Sequence, residues 1–254
     1  MAPKNKKKEV TAQEVPGRNE QPPPDWPNFA PLVSPLDLSL EETVPKQIMC
    51  IRNLWTSTLC RNYVTFLSSL PLTTTPGRPK KGDAVRVNDR YQIDDPVFAT
   101  RLWNETALKY LVSTDEGSGV DENERVKLWG GEVVGLNPNI RIYRYKKGHF
   151  FDQHYDDSNN VNVAAENGQL VQAKTTWTLL LYLTSPATGC IGGETVFYPD
   201  PPSKKAAAPD PIAIGLEVGM ALLHKHGKDC MLHEGREVTA GEKWVIRSDL
   251  CVKR

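Results

Sequence analysis

The residues best suited to chemistry crowd into one short stretch, Arg141-Ile-Tyr-Arg-Tyr145-Lys-Lys-Gly148-His149-Phe-Phe-Asp152-Gln-His154-Tyr-Asp156. On an extended strand, side chains two apart share a face, so His154 and Asp156 present an imidazole and a carboxylate side by side. One further ligand from elsewhere would complete a 2-His-1-carboxylate set, which holds Fe(II) and leaves coordination positions open. Parity also permits Asp152 as the carboxylate, and His149 lies nearby on the opposite face. A second histidine-rich stretch downstream carries His224, His226 and His233. Three-residue H-x-D matches occur by chance, so the triplet does not decide the matter alone.

Such side chains need a strand-rich frame, and the C-terminal half supplies one. From residue 132 onward, short β-rich runs at 139–146, 149–156, 175–184, 193–198, 219–225, 230–234 and 242–252 alternate with turn residues, the texture of a sandwich or barrel. The polar, Asn-rich segment 157–173 and the proline-rich segment 199–211 read as surface loops. Upstream, 47–53 reads as a strand. The segment 56–70 reads as an amphipathic helix, with Leu59, Tyr63, Phe66, Leu67 and Leu70 at helical spacing and Thr56 or Ser57 as its cap. A basic, turn-rich connection (73–82) leads to a strand at 84–93. Pro96 opens a second helical stretch to about 112, and 114–125 reads as a loop.

Residues 1–36 hold eight of the 20 prolines and the cluster Lys4, Lys6, Lys7 and Lys8. They are expected to form a disordered tail, with Trp26 and Phe29 docking locally at most. The lysines read as a solvated terminus, with a weak nuclear address as the alternative. One domain is expected at 37–254: helical support over about 37–130 and a β core over about 132–252.

Composition removes several classes. With 39% apolar residues, the 254-residue chain can bury a core and is not a disordered protein. Its 31 basic and 31 acidic side chains cancel, which removes the bulk electrostatic case for a nucleic-acid partner. The longest apolar run, Leu179–Leu183, is far short of the ~20 residues that cross a bilayer, and no apolar segment follows the lysine cluster, so neither a membrane span nor a leader is expected. Five widely spaced cysteines without a C-x-x-C pair argue for reduced thiols in an intracellular, cytoplasmic or nuclear protein. Oligomeric state leaves no mark on these residues.

The motifs, taken together and in order, resemble the prolyl 4-hydroxylase-like branch of the 2-oxoglutarate and Fe(II)-dependent dioxygenases. The chain has Tyr145, Gly148, His154-x-Asp156, Thr178-Leu-Leu-Leu-Tyr182-Leu, Gly192-Gly193-Glu194-Thr195, His233-Glu-Gly and Gly241-Glu-Lys243-Trp. The match covers about residues 84–252. It implies an α+β architecture, mainly β with N-terminal helices, whose core is a double-stranded β-helix (a cupin-like jelly roll). It also implies Fe(II) as the metal, 2-oxoglutarate and O2 as cosubstrates and ascorbate as reductant.

Carried over residue by residue, the resemblance makes His154, Asp156 and His233 the iron ligands, choosing Asp156 over Asp152 and His233 over His224 and His226. Lys243 becomes the cation for the far carboxylate of 2-oxoglutarate, since a buried anion requires a partner. Arg247 shares its strand parity and is the second choice. Tyr145, Tyr182 and Thr178 are expected along the cosubstrate, and Arg86, Asn88 and Arg90 at the substrate. The implied reaction hydroxylates an unactivated C–H bond and releases succinate and CO2. A peptidyl or protein proline is the first expected target; a free amino acid or small metabolite is the alternative. A carboxylate at 156 favours hydroxylation over halogenation. Nucleic-acid demethylation is disfavoured, because Arg247 and Arg254 are seven apart where the alkylation-repair branch has two arginines six apart. A non-catalytic jelly-roll binding protein remains a different class, against which the retained ligand set and cation argue. A zinc hydrolase would need H-E-x-x-H or a cysteine set, and neither is present.

Overall fold

The computed structural model describes residues 22–75, 84–164, 168–201, 203 and 206–254. In chain order, the first part comprises β1 (Glu41–Val44), β2 (Ile48–Ile51), α1 (Ser57–Ser68), β3 (Thr73–Thr74), β4 (Arg86–Val87), β5 (Asp89–Asp94), α2 (Pro96–Glu105), α3 (Leu108–Ser113), α4 (Asp115–Ser118) and α5 (Glu122–Trp129). The strand-rich part follows: β6 (Val133–Leu136), β7 (Asn139–Lys146), β8 (Phe150–His154), β9 (Asn160–Ala164), β10 (Leu170–Tyr182), β11 (Ile191–Gly192), β12 (Thr195–Tyr198), β13 (Ile212–Ile214), β14 (Ala221–Lys225), β15 (Leu232–Gly235), β16 (Val238–Ala240) and β17 (Glu242–Lys253).

Two antiparallel sheets form the core. Among the described residues, the larger runs β1-β2-β14-β10-β17-β7-β5-β3, with β6 added to β17 and β9 to β10. The smaller runs β13-β12-β15-β8-β4. Side-chain alternation divides the larger sheet into two faces. Trp177, Leu179, Leu181, Trp244 and Ile246 lie with the helices in one buried cluster, where Trp129 meets Trp177 edge-on at 5.0 Å. On the opposite face Tyr182, Tyr145 and Val245 share a second cluster with Phe197 of the smaller sheet. This is the jelly roll with helical backing that the motifs imply.

The helices begin where their caps direct. Thr56 accepts from the Leu59 N–H at 3.2 Å to start α1, and Asp95 accepts from the Phe98 N–H at 2.8 Å ahead of Pro96 in α2.

Several local expectations need correction. The stretch 96–112 is two helices, broken at Thr106, whose backbone is extended. Residues 114–125 are not a loop: Thr114 and Asp121 each accept a backbone N–H and start α4 and α5. Their composition hid them, because α5 buries only Trp129. The segment 84–93 is two strands in different sheets, β4 and β5. Within 157–173, β9 and the start of β10 pair antiparallel, Leu170 against Ala164. β6, absent from the sequence reading, pairs Leu136 with Leu250. Residues 22–36 pack rather than trail. Trp26 and Phe29 are buried against Phe98, and Trp26 Nε1 donates to Asp95 at 2.7 Å. Residues 1–21 with their lysines, and 76–83 of the basic connection, lie outside the described residues, as do 165–167, 202, 204 and 205. No helix among the described residues is long and apolar enough to cross a membrane.

Candidate active site

The sheets bring together residues 79 apart in sequence. His154 closes β8 and pairs directly with His233 on β15, their ring centroids 4.2 Å apart. Asp156 follows two residues after β8. Its Oδ1 is 3.9 Å from His154 Nε2 and its Oδ2 is 3.7 Å from His233 Nε2. Each of the three offers a ligand atom within 4.8 Å of the others.

The protonation states suit a divalent cation. His154 Nδ1 donates to the Asp152 carbonyl at 2.8 Å, and His233 Nδ1 donates to the Met231 carbonyl at 3.0 Å. With the proton held on Nδ1, the Nε2 lone pair of each ring faces Asp156. Burial, reinforced by the His233 ring, pushes His154 down to about 3, and burial lowers His233 as well. Burial pushes Asp156 the other way, but Arg247, then His224, His233 and His154, outweigh it and hold the carboxyl well below its usual range. Two neutral imidazoles and one carboxylate are the forms that ligate metal. Bonds of about 2.1 Å set neighbouring ligand atoms about 3 Å apart, so this set would close by less than ~1 Å around an ion. The residues fit a ferrous centre.

A buried network holds Asp156 in place. Thr178 Oγ1 donates to its Oδ2 at 2.8 Å, and Arg247 Nη2 donates to its Oδ1 at 3.0 Å. The direction of the Thr178 proton is set from behind. The Asn159 N–H donates to Thr175 Oγ1 at 2.9 Å, Thr175 donates to His226 Nε2 at 2.9 Å, and His226 Nδ1 donates to Thr178 Oγ1 at 3.0 Å. Arg247 also reaches Asp249 Oδ1 at 3.5 Å, and Arg141 and Asn137 hold the other Asp249 oxygen. Burial opposes the charge on Arg247, but the Asp156 and Asp249 carboxylates raise it above its ordinary value.

Lys243 lies deeper in the barrel. Gly241 makes its strand entry possible: φ is +67°, and a Cβ there would come within 2.2 Å of the Gly189 carbonyl. The Lys243 ammonium donates to the Gly193 carbonyl at 2.6 Å and lies 5.4 Å from the ring centroids of both Tyr145 and Tyr182. Among the described residues no carboxylate pairs with it, and burial pushes its pKa down to about 8. A buried cation beside a metal-ligand set is the complement of a dianion that reaches from one to the other. The cavity that these residues line, with Tyr143, Phe151 and Val245, is narrow at about 40 Å³. Since one water needs roughly 10–15 Å³ on such a scale, a keto-diacid enters only as the walls yield.

The remaining expected residues fall in several places. Tyr145 and Tyr182 flank Lys243, and the Tyr182 hydroxyl is bonded to Thr195 Oγ1 at 2.6 Å. The Thr178 hydroxyl, expected along the cosubstrate, is committed to Asp156. Arg247, the second choice for the cosubstrate carboxylate, is committed to Asp156 and Asp249. Asn88, expected at the substrate, is fully buried at the β4–β5 corner, where its Oδ1 accepts from Thr75 Oγ1 at 3.0 Å. Arg86 covers Phe151 at 5.0 Å, and Phe151 stacks on His154 at 3.6 Å. Arg90 stands across from Tyr143 in the β5–β7 register. Asp152 is exposed, with its Oδ1 on the Gln153 N–H.

Sequence reasoning missed Phe151, Asp249 and Cys230. Asp249 shares the parity of Lys243 and Arg247, which was the available signal. Cys230 accepts the Asp156 N–H at 3.3 Å and had no signal beyond its position near His233. His224 is fully buried, both ring nitrogens lack a partner, and Nε2 is 3.8 Å from Asp156 Oδ2. With Cys230 and His233 it forms a second group of ligand-bearing side chains within 4.8 Å.

Among curated proteins, none matches the sequence. Solved structures similar in fold include the viral collagen prolyl hydroxylase of Paramecium Bursaria Chlorella virus-1 in its 2OG complex (17% identity, 82% of this chain and 97% of that one, TM-score 0.47). Others are a prolyl-4-hydroxylase of Pseudomonas putida (12%, 86% and 97%, TM-score 0.47) and a Trichoplax adhaerens prolyl hydroxylase in complex with a hypoxia inducible factor peptide fragment (17%, 82% and 85%, TM-score 0.49). Residues 140–248 match the family model described as the 2OG-Fe(II) oxygenase superfamily, and that span contains His154, Asp156, His233, Lys243 and Arg247. Over that segment, which is less than half of the chain, the sequence is similar to the 2OG-Fe(II) oxygenase superfamily.

Proposed function

We propose that the chain holds Fe(II) on His154 Nε2, the Asp156 carboxylate and His233 Nε2, anchors 2-oxoglutarate on Lys243, and hydroxylates an unactivated C–H bond of a prolyl residue in a peptide or protein. The observation that carries this reading is the convergence of three ligand atoms within 4.8 Å, with the other nitrogen of both histidines tied to backbone carbonyls. Bound there, the ferrous ion supplies O2 activation, coupled to conversion of 2-oxoglutarate to succinate and CO2.

The protein's own part is geometric and electrostatic. Backbone carbonyls fix both imidazole planes. Thr178 and Arg247 hold the Asp156 oxygens, so the carboxylate does not rotate when an ion binds. The Lys243 ammonium, set between two tyrosine rings, neutralises the far end of the diacid in a site that otherwise disfavours charge. Phe151 and Arg86 cover His154 at the outer edge and face the target. The prolyl target rests on the motif resemblance, and a free amino acid or small metabolite is its alternative. Five free thiols, four of them buried, suit a reducing, intracellular compartment, and ascorbate is the expected reductant.

The test is direct. Purified protein with Fe(II), ascorbate and 2-oxoglutarate should form succinate, and a panel of proline-containing peptides should yield one that gains a single oxygen in mass. Succinate formation that His154→Ala leaves intact would refute the ligand set. A panel in which free amino acids gain oxygen and no peptide does would replace the target.

A further inference from the structure

Beyond the candidate metal ligands and Lys243, the inner face of the larger sheet opens into a cleft of about 770 Å³. Its basic lining side chains are Arg90, Arg141 and Arg254, and its acidic one, among the described residues, is Asp94. Two of the arginines along this face are paired internally: Arg141 with Asp249, and Arg247 with Asp156 and Asp249. Arg90 differs. Among the described residues its side chain has no hydrogen-bond or ion-pair partner, and its Nε is buried without one. Burial lowers its pKa, and the charges of Arg86, Arg141 and Arg247 act in the same direction against the opposing effect of Tyr143. Keeping a guanidinium there is costly unless an anion joins it, and a planar fork of donors is suited to a carboxylate.

Position ties this charge to the reaction. Arg90 pairs across the sheet with Tyr143, whose side chain lines the same cavity as His154 and Asp156. Arg86 lies over both Tyr143 and Phe151 and, among the described residues, forms no ion pair. The cleft wall around Arg90 carries the amides of Gln92, Asn139, Asn160 and Asn162, which can donate to and accept from a peptide main chain.

We propose that the substrate is an acidic peptide, in which a carboxylate side chain close to the hydroxylated residue pairs with Arg90, with Arg86 beside it. This rests on the oxygenase reading above and adds the charge class of its target.

The experiment uses the full chain loaded with Mn(II) and 2-oxoglutarate, so that binding is read without turnover. The probes are fluorescent proline peptides flanked by glutamates, their glutamine twins and their lysine twins, with affinities read by anisotropy. The glutamate peptide should bind at least tenfold more tightly than the glutamine twin, Arg90→Gln should abolish that preference, and Arg90→Glu should turn it toward the lysine peptide. The reversal is a gain that a misfolded variant would not show. Equal binding of the glutamate and glutamine peptides by the parent protein, or a preference that Arg90→Gln leaves whole, overturns the proposal. Absence of succinate from the parent protein with Fe(II) and 2-oxoglutarate would instead sink the oxygenase reading, and the charge preference in binding is read separately from it.

Discussion

Replacing Lys243 with methionine separates binding from stability. In the parent protein, the ammonium at the bottom of the barrel is expected to pair with the far carboxylate of 2-oxoglutarate. Removing one partner of a buried ion pair costs about 3–5 kcal/mol, so the KM for 2-oxoglutarate should rise between about a hundredfold and several-thousandfold. Mn(II) affinity, read in the absence of the diacid, should change little. The same burial pushes Lys243 from 10.5 down to about 8, below its value in the unfolded chain. A charged lysine that is disfavoured in the fold costs stability in full below pH 8, and that cost fades as pH rises from 8 to 10.5. A depression of that size corresponds to about 3 kcal/mol. Lys243→Met should therefore melt higher than the parent at pH 7 without 2-oxoglutarate, with the gap closing by pH 10. In the parent, the KM for 2-oxoglutarate should climb about tenfold per pH unit above 8 as the ammonium deprotonates, while the variant shows no such dependence. The assays are succinate formation against 2-oxoglutarate concentration at several pH values, and thermal melts of the metal-free protein. A variant KM within twofold of the parent would refute the reasoning and transfer the anchor to Arg247.

Arg247→Gln should leave the KM for 2-oxoglutarate within a few-fold but destabilise the protein by about 3 kcal/mol or more, because Asp156 and Asp249 lose a buried cation; urea melts with and without Mn(II) should show the metal recovering part of that loss. Thr178→Val removes the hydroxyl that donates to Asp156 and should cost about 1–3 kcal/mol, read by the same melts, with weaker Mn(II) binding by calorimetry. Burial raises Asp249, but Arg247 and then Arg141 outweigh it and lower its carboxyl. The stability it contributes is thus present above its unfolded value of 3.8 and is lost as pH falls through its folded value. Asp249→Asn should melt lower than the parent at pH 7 and lose less on acidification toward pH 3.

Much of this site is legible in the sequence because a β-strand repeats every two residues. Thr178, Leu180 and Tyr182 share one face, as do Lys243, Val245, Arg247 and Asp249, and the structure turns both sets toward the smaller sheet. Parity has a limit, since it cannot rank residues that share a face. Lys243 and Arg247 are four residues apart, about 13 Å along a strand, and only the register places one opposite Tyr145 and the other opposite Arg141. Tertiary pairing hid other features. β9 alternates asparagine with valine, buries Val163 and pairs with β10, but the Asn-rich stretch around it reads as a loop. α5 is held by its Asp121 cap and one buried tryptophan rather than by an apolar face. Asn88 alternates correctly for a site residue on a continuous strand, but the chain passes from one sheet to the other at that point, and the corner turns its side chain to Thr75.

The most direct measurement is a crystal grown without oxygen in the presence of Fe(II) and 2-oxoglutarate, with the metal located by anomalous scattering at the iron edge. The account predicts one iron about 2.0–2.2 Å from His154 Nε2, an Asp156 oxygen and His233 Nε2, with the far carboxylate of the diacid on the Lys243 ammonium. Iron held instead by His224, Cys230 and His233, or a diacid seated on Arg247, would contradict it.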